Sequence, residues 1–395
     1  MASRRVYNAT DESTQSGASS VMRHAQLAFQ YLEATELEHL PGDAILKRSL
    51  NINSVISTSS SFATRCQRAV SHADLQHIIQ IGEGFQGTIF EQVGLSWVMK
   101  KEKPGNDTIP SNLRHEYSMH SDVTTAFDRY AESVGCNVHV PRLFGIIPTS
   151  DSAFWQEHLH KFPDGYRNRT TIVRMERILP LPKVIRRALV SQFYPRPTAT
   201  LLDAETTNRV LSDPPNKHCI ARTYLGRDGG IFTKEKFSLR NFPLYLKAME
   251  RLNLDTESLA ASMGKAYALM HWAACVNGDD VEFALGTSAV QNEEHSLDFQ
   301  HRAIGLYLLD FGQCDAVDLS EDAAVVYQAF KGAMVMGDNQ WFIPHYKKSP
   351  ELFAVFEKAY IEAGQTVIND KALGNKFNIQ EFMAEYVEYA EDFLV

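Results

Sequence analysis

Cysteine is scarce in this sequence, and none of it is paired. Cys66, Cys136, Cys219, Cys275 and Cys314 lie far apart with no C-x-x-C among them, which argues against a disulfide framework or a structural zinc site. No metal ligand set is expected. Long apolar runs are also lacking. No stretch reaches the roughly 18 residues of a membrane span, and Met1 to Thr14 has no apolar segment of the signal-peptide kind. The expectation is a cytoplasmic protein with no membrane contact. Basic excess is lacking too, since the net charge is −9, against a surface coated in base for non-specific nucleic-acid binding. Aromatics are plentiful, with 22 Phe, 15 Tyr and 4 Trp, and 44% of the 395 residues are hydrophobic. A chain of this size and composition buries a substantial core, as two domains or one large two-lobed one.

Four regions follow from the texture of the chain. Residues 1–22 are polar and read as a disordered arm. Residues 23–70 read as a helical extension, with a helix over Met22–Leu40 stopped by Pro41-Gly42 and a Ser/Thr-rich linker at Ser54–Ser61. Residues 71–180 are strand-rich, with strands expected at His77–Gln80, Thr88–Gln92, Trp97–Lys101, Leu143–Ile147 and Thr171–Glu176. One helix, Leu113–Val134, interrupts them. Residues 181–395 become helical, after an insert over about 181–250. Strands first and helices second predict an α+β, two-lobed enzyme.

The sharpest motif is Ile81-Gly-Glu-Gly-Phe-Gln-Gly-Thr, which sets Gly82, Gly84 and Gly87 in a G-x-G-x-x-G frame. Such glycines let backbone approach phosphate closely, but the frame alone is weak. Strand pattern continues past Gly87 with no helix opening, which disfavours a dinucleotide-binding turn. An apolar strand then ends in Lys100, with Lys101 beside it, and Glu116 follows on the helix. Further on, Leu306-Tyr-Leu-Leu leads into Asp310-Phe311-Gly312. In this order the segments resemble the glycine-rich loop, strand lysine, helix glutamate and magnesium-binding aspartate of protein kinases. The resemblance spans about residues 75–345 and implies a protein-kinase-like fold with a strand-rich N-lobe and a helical C-lobe.

The pattern breaks at the catalytic loop. A helix over Glu257–Trp272 leads into Asn277-Gly-Asp-Asp-Val-Glu282. Aligned on the strand that follows, the kinase base falls at Asn277, which cannot accept a proton; aligned on Gly-Asp, it is Asp279. What stands there instead is an acidic cluster, Asp279, Asp280 and Glu282, expected to face Asp310. Carboxylates gathered in one cleft can hold a divalent ion, share a proton as acid and base, or grip a guanidinium. The sequence leaves these uses open.

Met270-His-Trp, Asp280-Val-Glu-Phe-Ala-Leu-Gly286 and Leu309-Asp-Phe-Gly-Gln313 together resemble a fungal group of kinase-like proteins. The doubled aspartate resembles the acidic motif of the arginine-containing cyclodipeptide synthases. That resemblance implies a transferase of secondary metabolism, which joins arginine and a second amino acid from aminoacyl-tRNAs into a diketopiperazine. Its expected catalytic residues are Asp279, Asp280, Glu282 and Asp310, with Gly82, Gly84, Gly87, Lys100 and Glu116 binding substrate or phosphate. No cofactor is required on this reading. ATP and magnesium enter only with the alternative of a small-molecule phosphotransferase, and a third reading is a non-catalytic pseudokinase binding module. A tRNA partner needs base somewhere, and Lys161–Arg227 carries 13 Lys and Arg against five acids, a local net of +8 that leaves −17 on the remainder. Arg174, Lys183, Arg186 and Arg187 are the expected RNA contacts, and Tyr166, Phe193 and Tyr194 the candidate stacking platforms.

Overall fold

Runs rich in Val, Ile, Thr and aromatic residues form strands here, because branched and flat side chains fill a pleated, half-buried surface. The computed structural model describes residues 30–52, 54–59, 68–69, 72, 77–84, 86–93, 95–103, 112–196, 202–290 and 299–394. The chain opens with β1 (Gln30–Glu33), α1 (Ala34–Leu37), α2 (Gly42–Ser49) and β2 (Ser54–Ser59). Next come β3 (Ile78–Glu83), β4 (Gly87–Gln92), β5 (Trp97–Glu102), α3 (Leu113–Tyr130), β6 (Val138–His139), β7 (Leu143–Ile147), α4 (Ser152–His158) and β8 (Ile172–Glu176). After α5 (Lys183–Phe193) and α6 (Ala204–Ser212), strands β9 (Ala221–Tyr224) and β10 (Phe242–Tyr245) lead to α7 (Leu246–Arg251) and α8 (Thr256–Ala268). The long hairpin β11 (Glu282–Val290) and β12 (Phe299–Leu309) precedes α9 (Ala323–Val335), α10 (Asn339–Phe342), α11 (Pro350–Asp370) and α12 (Ile379–Phe393).

The result is a mixed α+β fold with two sheets. One is a five-stranded antiparallel sheet in the order β3-β4-β5-β8-β7. The other runs β1-β2-β12-β11-β9-β10, with β6 beside β12. A large core joins α8, α9, α11 and α12, while a smaller one of Ile78, Phe90, Met99, Ile147, Trp155, Phe162 and Ile172 lies against the five-stranded sheet. Among the described residues no helix is long and apolar enough to cross a membrane. Cys136, Cys219, Cys275 and Cys314 are free thiols, and Cys66 lies outside the described residues.

Two expectations for the extension are overturned. The arm at 1–22 and the first part of the Met22–Leu40 helix lie outside the described residues, but Gln30–Glu33 is a strand, paired parallel with β2. Of the expected helix, Ala34–Leu37 is helical and ends ahead of Pro41, which also caps the start of the next helix, as its missing N–H allows. The Ser/Thr linker is also a strand over Ser54–Ser59, pairing antiparallel with β12. Val55 and Ile56 are fully buried there, and the hydroxyl residues around them are β-compatible. Polarity suggested a loop, and neighbouring strands decided otherwise.

The contact of α8 with α11 holds the core together, and it depends on a missing side chain. A Cβ at Gly264 would lie 2.3 Å from the Phe356 carbonyl oxygen, which is helix backbone and cannot step aside. Gly264→Ala is expected to destabilise the fold by about 2–3 kcal/mol, because relief requires moving a helix. Thermal unfolding measures this, with the exposed Gly229→Ala as a near-neutral control.

Candidate functional site

Gly82, Gly84 and Gly87 fall on the β3–β4 hairpin, closed by the Gly84 N–H donating to the Gly87 carbonyl at 2.9 Å. Gly87 opens a strand, not a helix. Two of these glycines are needed for packing. A Cβ on Gly82 would meet Ile89 at 3.1 Å, and one on Gly87 would meet Lys100 Cγ and the Lys101 carbonyl at 3.0 Å. The hairpin turn reaches across to the other half of the site, where Gln86 Nε2 donates to the Gly312 carbonyl at 2.6 Å.

Alternation along β5 sends Lys100 and Lys101 to opposite faces of the sheet. Lys101 Nζ is buried on the far side, donating to the Asn168 carbonyl at 2.8 Å and Thr170 Oγ1 at 2.5 Å, with the Trp155 ring 5.3 Å away. Burial there lowers its pKa to about 8, and it takes no part in the cleft. Lys100 does. Its Nζ donates to Glu116 Oε1 at 2.6 Å and lies 3.3 Å from Asp310 Oδ1. Glu116 is delivered by the first turn of α3, whose N-terminus is capped by Asn112 accepting from the His115 N–H at 3.1 Å. Burial works against the Lys100 charge, but Asp310 and Glu116 outweigh it and raise the ammonium pKa. Burial raises the Glu116 carboxyl, with Asp310 adding to it and Lys100 opposing.

The acidic loop does not converge on one point. Glu282, at the start of β11, is paired in register with Leu309 and so comes beside Asp310. Its Oε1 accepts from Arg222 Nη2, a residue of β9. Burial raises the Glu282 carboxyl to about 7, with Asp310 and Asp338 adding and Arg222 opposing. Asp280 instead accepts from Gln313 Nε2 and faces Asp338. Burial raises the Asp338 carboxyl, and the Asp280 charge raises it further. Asp279 turns away: its charged neighbours are Asp280 and Asp315, and with burial leading they raise its pKa. Asp310 is not among the charges that act on Asp279. The Asn277 side chain accepts from the Asp279 and Asp315 backbone N–H groups at 3.2 and 2.9 Å, so it braces the loop.

Asp280 and Asp310 both adopt left-handed conformations (φ 53° and 66°), which in a non-glycine residue persist only when surroundings over-determine them. Gly278 and Gly337 are left-handed too, which glycine accepts without strain. A Cβ on Gly337 would come 3.1 Å from Asp280 Oδ1, and Asn339 Nδ2 donates to the Gly278 carbonyl at 2.7 Å, bolting the two loops together. Beneath them runs a chain of buried hydrogen bonds. Trp272 Nε1 donates to the Tyr360 hydroxyl (2.9 Å), which donates to His271 Nδ1 (2.7 Å), whose Nε2 donates to the Asn277 carbonyl (3.1 Å). Burial keeps His271 neutral by lowering its pKa to about 3. His120, lowered by burial to about 4, packs at a tilt against Phe311 with ring centroids 4.7 Å apart and so steadies Asp310 from the other side.

Most of the residues expected to contact RNA make hydrogen bonds within the protein. Arg186 Nε and Nη1 donate to the Leu181 and Asn216 carbonyls at 3.1 and 3.2 Å. Arg187 donates to the Glu38 carbonyl at 3.3 Å. Arg174 donates to the Phe144 carbonyl and stacks over Trp97. Arg177 is buried against Glu91, and Arg222 is in the cleft. Lys183 alone of the four is exposed, as are Arg169, Arg209 and Lys217. The aromatic platforms are packed: Tyr166 on Phe90, Phe193 on Phe242 and Tyr194 on Phe237. Linear charge density does not show which of these bases pair with acids or bond carbonyls distant in sequence.

Arg222 and Asp338 are the cleft residues that sequence reasoning missed. Arg222 was counted only as part of the basic run, and Asp338 had no motif around it. No sequence signal marks Arg222, which comes beside Glu282 only through the pairing of β9 with β11, where Ala284 stands opposite it.

Lys100→Met is expected to cost about 3 kcal/mol at pH 7.5 by stranding Glu116 as a buried carboxylate. Adding Glu116→Gln should recover more than half of this. Because the folded-state pKa of Glu116 is raised, its protonated form is favoured and stability is lost as pH rises, so the Lys100→Met deficit should shrink at pH 5. Denaturant titrations of the single and double variants at both pH values check this. Compared with models of protein families and with curated proteins, the chain matches none.

Proposed function

We propose that the chain is a tRNA-dependent cyclodipeptide synthase on a two-lobed, kinase-like scaffold, making an arginine-containing diketopiperazine from two aminoacyl-tRNAs. The observation that carries this reading is the charge of the cleft. Five carboxylates, Glu116, Asp280, Glu282, Asp310 and Asp338, stand against three cations: Lys100 and Arg222, already committed to internal pairs, and Arg227, whose charge acts on Asp338. Such a cleft favours a cationic substrate. Asp280 and Asp338, from facing loops, suit a guanidinium, whose donors match carboxylates in pairs.

The chemistry needs no ATP, since an aminoacyl ester is already activated. Glu282 takes a proton from the α-ammonium of one aminoacyl group, and its pKa near 7 suits a base at neutral pH. The freed amine attacks the second ester carbonyl, and the tetrahedral oxyanion collapses with the tRNA ribose oxygen leaving and taking up a proton. The dipeptidyl ester then closes by the same steps, its remaining amine displacing the second tRNA. Closure needs a cis peptide, which costs about 3 kcal/mol that binding must offset. Lys100, held by Glu116, keeps Asp310 beside Glu282 and sustains its raised pKa.

A second reading, an ATP-dependent small-molecule phosphotransferase, is supported by the Lys100–Glu116–Asp310 chain under the glycine hairpin. There Lys100 would meet the phosphates and Asp310 the magnesium ion. Asp279 would be the base on this reading, because Asn277, committed to backbone N–H groups, does not fit that role.

Purified protein given arginyl-tRNA with a mixture of other charged tRNAs should yield a ribonuclease-sensitive arginine diketopiperazine by mass spectrometry. Glu282→Gln should lower the rate by about 10²-fold or more, and Asp280→Asn should mainly raise KM for arginyl-tRNA. Asp279→Asn, which alters a side chain turned away from the cleft, should retain most of the activity. ATP consumption on a small alcohol, with no diketopiperazine, would sink the reading in favour of the second. Silence in both assays would leave a binding module.

A further inference from the structure

The hydrogen bond between β9 and β11 has a role that no motif assigns. Arg222 is drawn into the cleft by strand pairing: Ala221 and Arg222 lie opposite Leu285 and Ala284, which sets the Arg222 side chain beside Glu282. It is an unusual place for a guanidinium, being mostly buried, with a side-chain exposure of 21% against 13% for Glu282. Its Nη2 donates to Glu282 Oε1, its Nη1 donates to the Tyr224 hydroxyl at 3.4 Å, and Asp338 Oδ2 lies 4.0 Å away. Glu282 Oε2 has no hydrogen-bond partner among the described residues.

We infer that Arg222 is the positioning residue of the cleft: it fixes Oε1 of Glu282 and leaves Oε2 as the oxygen that accepts the substrate's proton. The inference rests on the proposed role of Glu282 but makes a separate physical claim. Every charged group that faces Glu282 acts on it. Arg222, with Tyr224, comes from β9, Asp310 from the end of β12 and Asp338 from the turn before α10. Asp310 and Asp338 both favour the protonated acid, and Arg222 is the only one of the three that favours the carboxylate. Without it, Glu282 would be a buried acid among acids, free to rotate and protonated at neutral pH. A lysine at this place would keep the charge but lose the paired donors that bind Glu282 and Tyr224 together.

The test reads Glu282 directly. Protein labelled with ¹³C at glutamate Cδ is titrated by NMR, with Glu282→Gln identifying the resonance, in the wild type, Arg222→Ala and Arg222→Lys. The midpoint is expected to rise by about one pH unit or more in Arg222→Ala and by less in Arg222→Lys. Millimolar guanidinium, filling the vacated place, should bring the Arg222→Ala midpoint back, and tetramethylammonium should not. In the synthase assay kcat of Arg222→Ala should fall about tenfold or more, with KM little changed. The rising limb of its pH profile should move up with the Glu282 midpoint, and guanidinium should rescue it. An unchanged midpoint in either variant, or no rescue by guanidinium, overturns the inference. If Arg222→Ala does not fold, Arg222→Lys decides by the same criterion. A shifted and rescued midpoint in a protein that makes no diketopiperazine would leave this inference standing and remove the synthase reading.

Discussion

The site depends on the register of one β-hairpin. Nine antiparallel pairs run from Glu282–Leu309 to Val290–His301, and this ladder delivers Glu282 and Asp310 to the same end of the sheet. Side chains alternate with a period of two, so a slip of one residue would send Glu282 into the core and bring Phe283 to the cleft. Burial guards against that slip. Phe283, Leu285, Ile304, Leu306 and Leu308 are all fully buried, and a shifted register would break their packing. The hydrophobic pattern of the hairpin thus sets the position of two carboxylates that contribute nothing to the core themselves.

Bringing those carboxylates together carries an electrostatic penalty, and the fold offsets it from both sheets. The five-stranded sheet supplies Lys100 through β5, and the larger sheet supplies Arg222 through β9. Both cations are buried beside their acids, where an unpaired charge would be strongly unfavourable. The left-handed backbone at Asp280 and Asp310 is a second cost, borne locally. It is held by contacts with little freedom, such as the Asn339 amide on the Gly278 carbonyl and the Gln86 amide on the Gly312 carbonyl. Neutral His271 and His120 form the rigid underlayer. The chemistry proposed for the cleft uses what this arrangement leaves over, namely carboxylate oxygens without internal partners.

Much of the fold was legible because it rests on local pattern. Leu143–Ile147 is a strand with the expected bounds, Trp97–Lys101 and Thr88–Gln92 differ by one residue, and the helix begun at Leu113 ends at Tyr130 instead of Val134. The helix ending at Trp272 is α-helical only to Ala268, and its last turn is a π-helix over Leu269–Ala273. The failures were the segments whose state depends on partners. Gln30–Glu33 and Ser54–Ser59 carry weak patterns and became strands because β12 offered an edge to Ser54–Ser59, which in turn offered one to Gln30–Glu33.

The site divides along the same line. Sequence order and residue type determined that Lys100, Glu116, Glu282 and Asp310 could share one cleft, since each sits at the end or on the face of a strongly patterned element. Whether a given charge is available was a tertiary matter. Asp279 and Asp280 are neighbours in the chain, yet one turns toward Asp315 and the other toward Asp338. Arg186 looked like an RNA contact and holds two carbonyls, while Arg222 looked like part of the same basic run and stands in the cleft. Periodicity is a property of a segment, so the sequence by itself determines it. The partner of a charge is set by strand pairing and loop closure across 60 or more residues, as with Arg222 and Glu282, and only the folded chain decides that.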